Sequence, residues 1–234
     1  MDIKNSHVLI TGGSAGIGKE TAKQFIAKGA KVVITGRDEK KLKEVAIELG
    51  SIPLLFDISD LDSIPHKVKE ALALLDGKID TLVNNAGIGT FPTLGEITKE
   101  DLMSVYTTNV FGLALLTQEF IPQFKKQKSG NIINIGSTAS QKGFAGGSVY
   151  AASKFAVRGM TQSWQAELRK YNIRVVLVNP SEVATAFANI DRIERQEEPN
   201  KLGSKDIAHT IISVVEMRDK GFIPEVTVWA TNPF

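Results

Sequence analysis

Residues 7–18 read HVLITGGSAGIG. His7 to Thr11 form a short apolar and β-branched run, and the glycine-rich turn behind it leads straight into a segment with Ile17, Thr21, Phe25 and Ile26 three and four apart. The first has the composition of a buried strand and the second the spacing of one helix face. A turn of this kind lets backbone close on a pyrophosphate, whose charge the N-terminal amides of the helix then hold. Gly12, Ser14, Ala15, Gly16, Ile17 and Gly18 are therefore candidate contacts for a dinucleotide. The spacing is Gly-x-x-x-Gly-x-Gly rather than Gly-x-Gly-x-x-Gly, so an ordinary glycine-rich turn is the competing reading.

The same alternation continues outward. KVVIT at 31–35, IPLLF at 52–56, IDTLV at 79–83, NIINI at 131–135 and IRVVLV at 173–178 read as further buried strands. Helical patterns such as Leu42, Val45, Ala46 and Leu49 lie between them, and Gly50 and Gly77 fall where a helix gives out. Near-continuous apolar strands joined by helices imply a parallel sheet covered on both faces by right-handed crossovers, a doubly wound α/β fold. No linker interrupts it, so residues 1–234 are expected to form one domain. The least regular stretch is 186–205, charged in DRIERQEE and broken by Pro199 and Gly203, which suits a substrate loop or lid.

Composition narrows the function classes. A chain of 234 residues buries roughly 70–75% of its extended surface, so its core needs no disulfide or structural metal. There is no cysteine, hence no thiolate nucleophile and no zinc knuckle. Twenty-eight basic residues against 26 acidic leave +2, which gives no footprint for nucleic acid, and Lys125, Lys126 and Lys128 suit the negative end of a helix dipole. The opening MDIKNSHVLI lacks a basic n-region followed by a long apolar h-region, so no signal sequence is expected, and the longest uncharged run, Leu102 to Gln118, is interrupted by polar residues. No membrane partner and a cytoplasmic location are the expectations. His7, His66 and His209 are scattered, and Asp57, Asp60 and Asp62 lack calcium-loop spacing, so no metal site is expected; Asp60 reads as a helix cap.

In a doubly wound sheet ligands sit beyond the carboxyl ends of the strands. Asp57 follows the third strand, where it suits an adenine amino group or a plain strand-to-helix turn. Asn84, Asn85, Ala86 and Gly87 follow the fourth, as a loop against a cofactor or a simple turn. Ser137 follows the fifth strand, with Ser140 as its competitor. Tyr150 and Lys154 are four apart, on one helix face, and an ammonium there would favour the phenolate and lower the tyrosine pKa. Asn109 lies inside a long helix, where asparagine signals a backbone irregularity, a water-holding role or an exposed polar face.

Taken together, TGGSAGIG, Asp57, NNAG, Asn109 in NVFG, Ser137, Tyr150 with Lys154, and Asn179-Pro180 with Thr185 resemble the short-chain dehydrogenase/reductase superfamily over nearly the whole chain. The resemblance implies one Rossmann-like domain with seven parallel strands in the order 3-2-1-4-5-6-7, a nicotinamide cofactor and a tetrad of Asn109, Ser137, Tyr150 and Lys154. By the same resemblance Ile58, Pro180, Val183 and Thr185 join the cofactor residues, and Tyr150 and Lys154 also touch the cofactor. Tyr150 would move the proton, Lys154 hold the nicotinamide ribose, Ser137 polarise a carbonyl and Asn109 hold a water. The chain departs from the family at Ser181, where glycine is usual after the proline. It is also similar to 3-oxoacyl-carrier-protein reductases and related carbonyl reductases.

The expected activity is interconversion of a carbonyl and a secondary alcohol by NADP-dependent hydride transfer. The alternatives are 3-oxoacyl-carrier-protein specificity and a non-catalytic NADP-binding regulator. Gly36 stands where an NAD site places a carboxylate, and Arg37 beside it can grip a 2′-phosphate, so NADP is expected over NAD. Asp38 reads as the cap of the next helix. Ile88, Phe91, Phe144, Ser181, Glu182 and Phe187 are the expected substrate walls, for a small-molecule carbonyl or alcohol. A homotetramer or homodimer built on the two long helices is what the family implies.

Overall fold

The computed structural model describes residues 1–185, 187 and 198–232. Its strands are β1 (His7–Ile10), β2 (Lys31–Gly36), β3 (Ile52–Leu55), β4 (Thr81–Asn84), β5 (Gly130–Ile135), β6 (Ile173–Pro180) and β7 (Glu225–Val228). They form one sheet in the order β3-β2-β1-β4-β5-β6-β7, and every pairing is parallel. The helices are α1 (Gly16–Ala27), α2 (Glu39–Leu49), α3 (Ile64–Leu74), α4 (Lys99–Tyr106), α5 (Leu113–Gln127), α6 (Ser148–Leu168) and α7 (Ser204–Glu216). Fold class and strand order are those the sequence implied. Most of the lid expected at 186–205, namely 186 and 188–197, lies outside the described residues.

Alternation along each strand divides the core. Val8 and Ile10 face α1, α2 and α7 together with Ile34, Val83, Ile133 and Val176. Leu9 faces the other way with Val33, Leu82, Ile132 and Val175, against α3, α5 and the end of α6. Phe25 fills the first layer, Phe120 and Phe124 the second, all fully buried. Each such ring contributes about 1.5–3 kcal/mol of burial. The strand order reverses between β1 and its two neighbours β2 and β4, which opens a crevice at their carboxyl ends.

Three local features depart from the sequence reading or sharpen it. Asp60 does not cap through its side chain; its carbonyl instead accepts from the Ser63 hydroxyl at 3.0 Å, because a single 3-10 turn, Leu61–Ser63, intervenes before α3. Between α4 and α5 the helix widens into a π-helical stretch, Thr107–Gly112, centred on Asn109, so the irregularity that asparagine signalled is present. Gly112 sits at its end because a Cβ there would lie 2.3 Å from the Ile58 carbonyl. Asp38 caps α2 as expected, accepting from the Lys41 amide at 3.0 Å. Among the described residues no helix is long and apolar enough to cross a membrane.

Candidate active site

The glycine-rich turn is built around the Thr11 and Asn85 side chains. Thr11 Oγ1 accepts from the Asn85 and Ala86 amides, both at 3.0 Å. Asn85 Nδ2 donates to the Thr11 and Gly12 carbonyls at 2.9 and 3.1 Å. The loop after β4 is thereby pinned under the loop after β1. Gly12 has φ +64°, and a Cβ on Gly18 would fall 2.3 Å from the Gly12 carbonyl oxygen, so glycine is required at both positions.

Helix α1 opens directly on this turn. Its N-cap residue, Ala15, brings no side-chain cap, and no carboxylate stands in the first turn. That is a favourable site for an anion at the positive end of a helix dipole. A Cβ on Gly16 would meet the Thr185 methyl at 3.3 Å, so the segment after β6 lies across the helix end, and Ile17 packs back on the core. Ser14 Oγ lies 3.0 Å from where a Gly36 Cβ would be, with Arg37 exposed beside it. This cradle of close-set glycines at a helix N-terminus fits a dinucleotide.

Of the other expected cofactor residues, Asp57 uses Oδ1 to accept from the Ser59 amide and hydroxyl, at 2.9 and 2.7 Å, and Ile58 is buried behind it. Asn84 turns into the core: its Nδ2 donates to Thr117 Oγ1 at 2.9 Å and Asn134 Oδ1 at 2.8 Å, so its side chain does not reach the crevice. Gly87 does, since a Cβ there would sit 3.3 Å from Asn109 Oδ1 and 3.8 Å from Lys154 Nζ. Pro180 ends β6 opposite Val228, and Val183 bridges to Leu202.

The expected tetrad converges from three elements. Tyr150 and Lys154 lie on α6, both buried. Lys154 Nζ donates to the Ile135 carbonyl at 2.7 Å and stands 5.7 Å from the centre of the Tyr150 ring. Ser137 begins a 3-10 turn at Thr138–Ser140, and its side chain acts on the Tyr150 phenol in the direction that lowers its pKa. Its competitor Ser140 is fully buried, with Oγ accepting from the Ser137 amide at 3.1 Å. Asn109 braces the loop after β4 against α6. Its Oδ1 accepts from the Ile88 amide and its Nδ2 donates to the Ile88 carbonyl, both at 2.9 Å, with a further bond to Ser153 Oγ at 3.1 Å.

The electrostatics correct one expectation. Burial pushes the Tyr150 phenol up to about 12, against the neighbouring Ser137 side chain, which lowers it. Lys154, expected to bring the tyrosine down, is itself pushed down to about 8 by burial. Its ammonium points to Ile135 rather than to the phenol oxygen, so desolvation governs both groups.

Asn179, read in the sequence only as part of a motif, has a structural role, and its partner Glu225 escaped the sequence reading. Asn179 Oδ1 accepts from the Ser137 amide at 3.2 Å, and its Nδ2 donates to Glu225 Oε1 at 2.9 Å. Glu225 also takes Gln141 Nε2 at 2.8 Å and Arg158 Nε at 3.1 Å. The carboxylate at the start of β7 thus gathers the loop that carries Ser137. A lone acid in the run FIPEVTVW was the available signal. Ser181, in place of the usual glycine, is absorbed without strain: it is not among the positive-φ residues, and its amide pairs with the Val228 carbonyl at 2.9 Å.

A parallel sheet with an anion cradle at its switch point and a buried tyrosine beside it defines an oxidoreductase of the nucleotide-binding α/β class. Residues 6–196 match the short chain dehydrogenase family model, and the chain belongs to the short-chain dehydrogenase/reductase family. It is 35% identical over 244 residues to the NADP-dependent 3-hydroxy acid dehydrogenase of Schizosaccharomyces pombe, covering 96% of this chain and 92% of that one. A 3-oxoacyl-[acyl-carrier-protein] reductase of Thermotoga maritima is 35% identical over 190 residues, 79% of this chain and 77% of that one. A metagenomic short-chain oxidoreductase solved in complex with NADP superposes with a TM-score of 0.83 at 32% identity, covering 97% of this chain and 98% of the other.

Proposed function

We propose that this enzyme interconverts a carbonyl and a secondary alcohol with NADP(H), and that Tyr150 carries the proton. The observation that supports it most is a buried phenol on α6 with Ser137 acting on it, at the same carboxyl edge of the sheet as the glycine-rich turn into α1. The pyrophosphate would lie on Gly12 to Gly18, the 2′-phosphate against Arg37 and Ser14, and the nicotinamide ribose near Lys154, whose ammonium has donors beyond the one given to Ile135. When bound, the dinucleotide supplies or accepts the hydride at the substrate carbon.

In reduction Tyr150 gives its phenolic proton to the carbonyl oxygen while the Ser137 hydroxyl donates to the same oxygen, so that the products are an alcohol and a phenolate that is reprotonated from solvent. A pKa of about 12 keeps the phenol protonated at neutral pH, ready to act as the acid. Asn109 holds the Ile88 loop against α6 through its bonds to Ile88 and Ser153. A second copy of the chain is taken to pack on α5 and α6, whose outer face exposes Leu115 and Phe155 beside the half-buried Met160 and Trp164.

The test is NADPH consumption against a panel of aldehydes, ketones, 3-oxoacyl thioesters and 3-oxo acids, with NADPH binding measured in parallel. Turnover of at least one carbonyl is expected. Tight NADPH binding with no turnover across the panel would favour the non-catalytic regulator and overturn the proposal.

A further inference from the structure

We infer that the substrate pocket is built for carbonyl compounds bearing an apolar aryl or alkyl arm and disfavours free carboxylates; this rests on the proposed carbonyl reduction at Tyr150. Two phenylalanines from separate segments close on the Tyr150 ring, and a third packs on one of them. Phe91, in the loop after β4, meets the Tyr150 ring edge-on with centroids 5.5 Å apart. Phe187, beyond β6, approaches it at 5.4 Å. Phe144, in the loop between β5 and α6, extends the wall, 6.1 Å from Phe91.

The wall is backed by glycines. A Cβ on Gly147 would lie 2.6 Å from the Phe144 ring, and one on Gly89 would lie 2.9 Å from Phe91 and 3.1 Å from Phe187. Any larger residue at either position would push the rings off the backbone. Yet Phe91 and Phe144 remain 42% and 51% exposed, so each has surface left to cover, at about 25 cal/mol for every Å² of apolar area removed from water.

A carboxylate gains nothing from such a wall. Aromatic faces carry negative quadrupole charge, and a carboxylate leaving water needs a cation and hydrogen bonds in exchange. Among the described residues the one cation within cation–π reach of these rings is Lys154, at 5.7 Å from Tyr150, and it is already bonded to Ile135. Lys142 is exposed, two residues before Phe144, and is the only basic residue between β5 and α6.

The experiment compares kcat/KM for NADPH-driven reduction of 4-phenylbutan-2-one, acetone and acetoacetate by the unmutated protein and by its Phe91→Ala, Phe144→Ala and Lys142→Ala variants. The aryl ketone is expected to exceed both acetone and acetoacetate by at least about tenfold, the span of a hydrophobic contact in a pocket. Phe91→Ala and Phe144→Ala should each reduce that advantage several-fold, mainly through KM, and Lys142→Ala should leave the ranking in place. If acetoacetate is reduced best, and above all if Lys142→Ala removes that preference, the pocket assignment is overturned while carbonyl reduction stands. If none of the three is reduced but other carbonyls are, the pocket assignment again fails alone. Loss of all turnover on every carbonyl would overturn the catalytic reading itself.

Discussion

Lys154 and Tyr150 share a helix face, and burial acts on both of them in the direction of neutrality. For Lys154 this has a sign that can be worked out. Its folded pKa, about 8, lies below its ordinary value of 10.5, so between those limits the unfolded chain holds a proton that the folded chain has released. Stability contributed by this residue therefore rises with pH across that window. Relative to a Lys154→Met variant, the cofactor-free protein should gain about 3 kcal/mol between pH 7 and pH 10.5. Denaturant unfolding of both proteins at several pH values would show it, and a constant difference would mean that the lysine is not desolvated. Arg37 is the second residue to decide something. With no carboxylate at Gly36 and with Asp38 engaged at the start of α2, NADPH should be preferred over NADH at least about tenfold, or 1.4 kcal/mol. Arg37→Ala should erase most of that preference, and equal kcat/KM for the two cofactors in the unmutated protein would contradict the reading.

Between single residues and the sheet, the elements show where sequence was legible and where it was not. The strands that carry the site were readable because their apolar runs are buried on both faces. β7 was not separately located, since it is a four-residue edge strand, half-exposed throughout, with no burial pattern to betray it. Asn109 pointed to an irregular helix, but not to the bonds with Ile88 and Ser153 that give the residue its use, because these depend on which loop the π-helical stretch meets. Likewise the direction of the Tyr150 shift follows from burial in three dimensions, which the spacing of Tyr150 and Lys154 does not contain. Two predictions belong at this scale. Gly112→Ala would force its Cβ against the Ile58 carbonyl, costing about 1–3 kcal/mol of overpacking, visible as a lowered denaturation midpoint. Glu225→Ala leaves Asn179, Gln141 and Arg158 without their shared acceptor. The Ser137 loop should then loosen and kcat fall several-fold at little change in NADPH affinity; unaltered kcat would show that the loop holds itself.

At the scale of the whole molecule, the parallel doubly wound sheet was legible in the alternation of apolar runs and helical patterns, whereas the strand order, and with it the crevice at the β1 switch point, was implied by the family resemblance that the order of motifs carries. Assembly is a separate matter. The face of α5 and α6 leaves Leu115 and Phe155 exposed, 38% and 45%, and a charge placed there, as in Phe155→Glu, should shift the protein toward monomer in sedimentation; a wild type that is already monomeric would contradict pairing through these helices. The central claim concerns the proton on Tyr150, and one measurement meets it directly. Single-turnover oxidation of bound NADPH by a carbonyl substrate should be at least about one hundredfold slower in Tyr150→Phe than in the unmutated protein, with NADPH binding equally tightly to both. A Tyr150→Phe variant that turns over at a near-normal rate would contradict it.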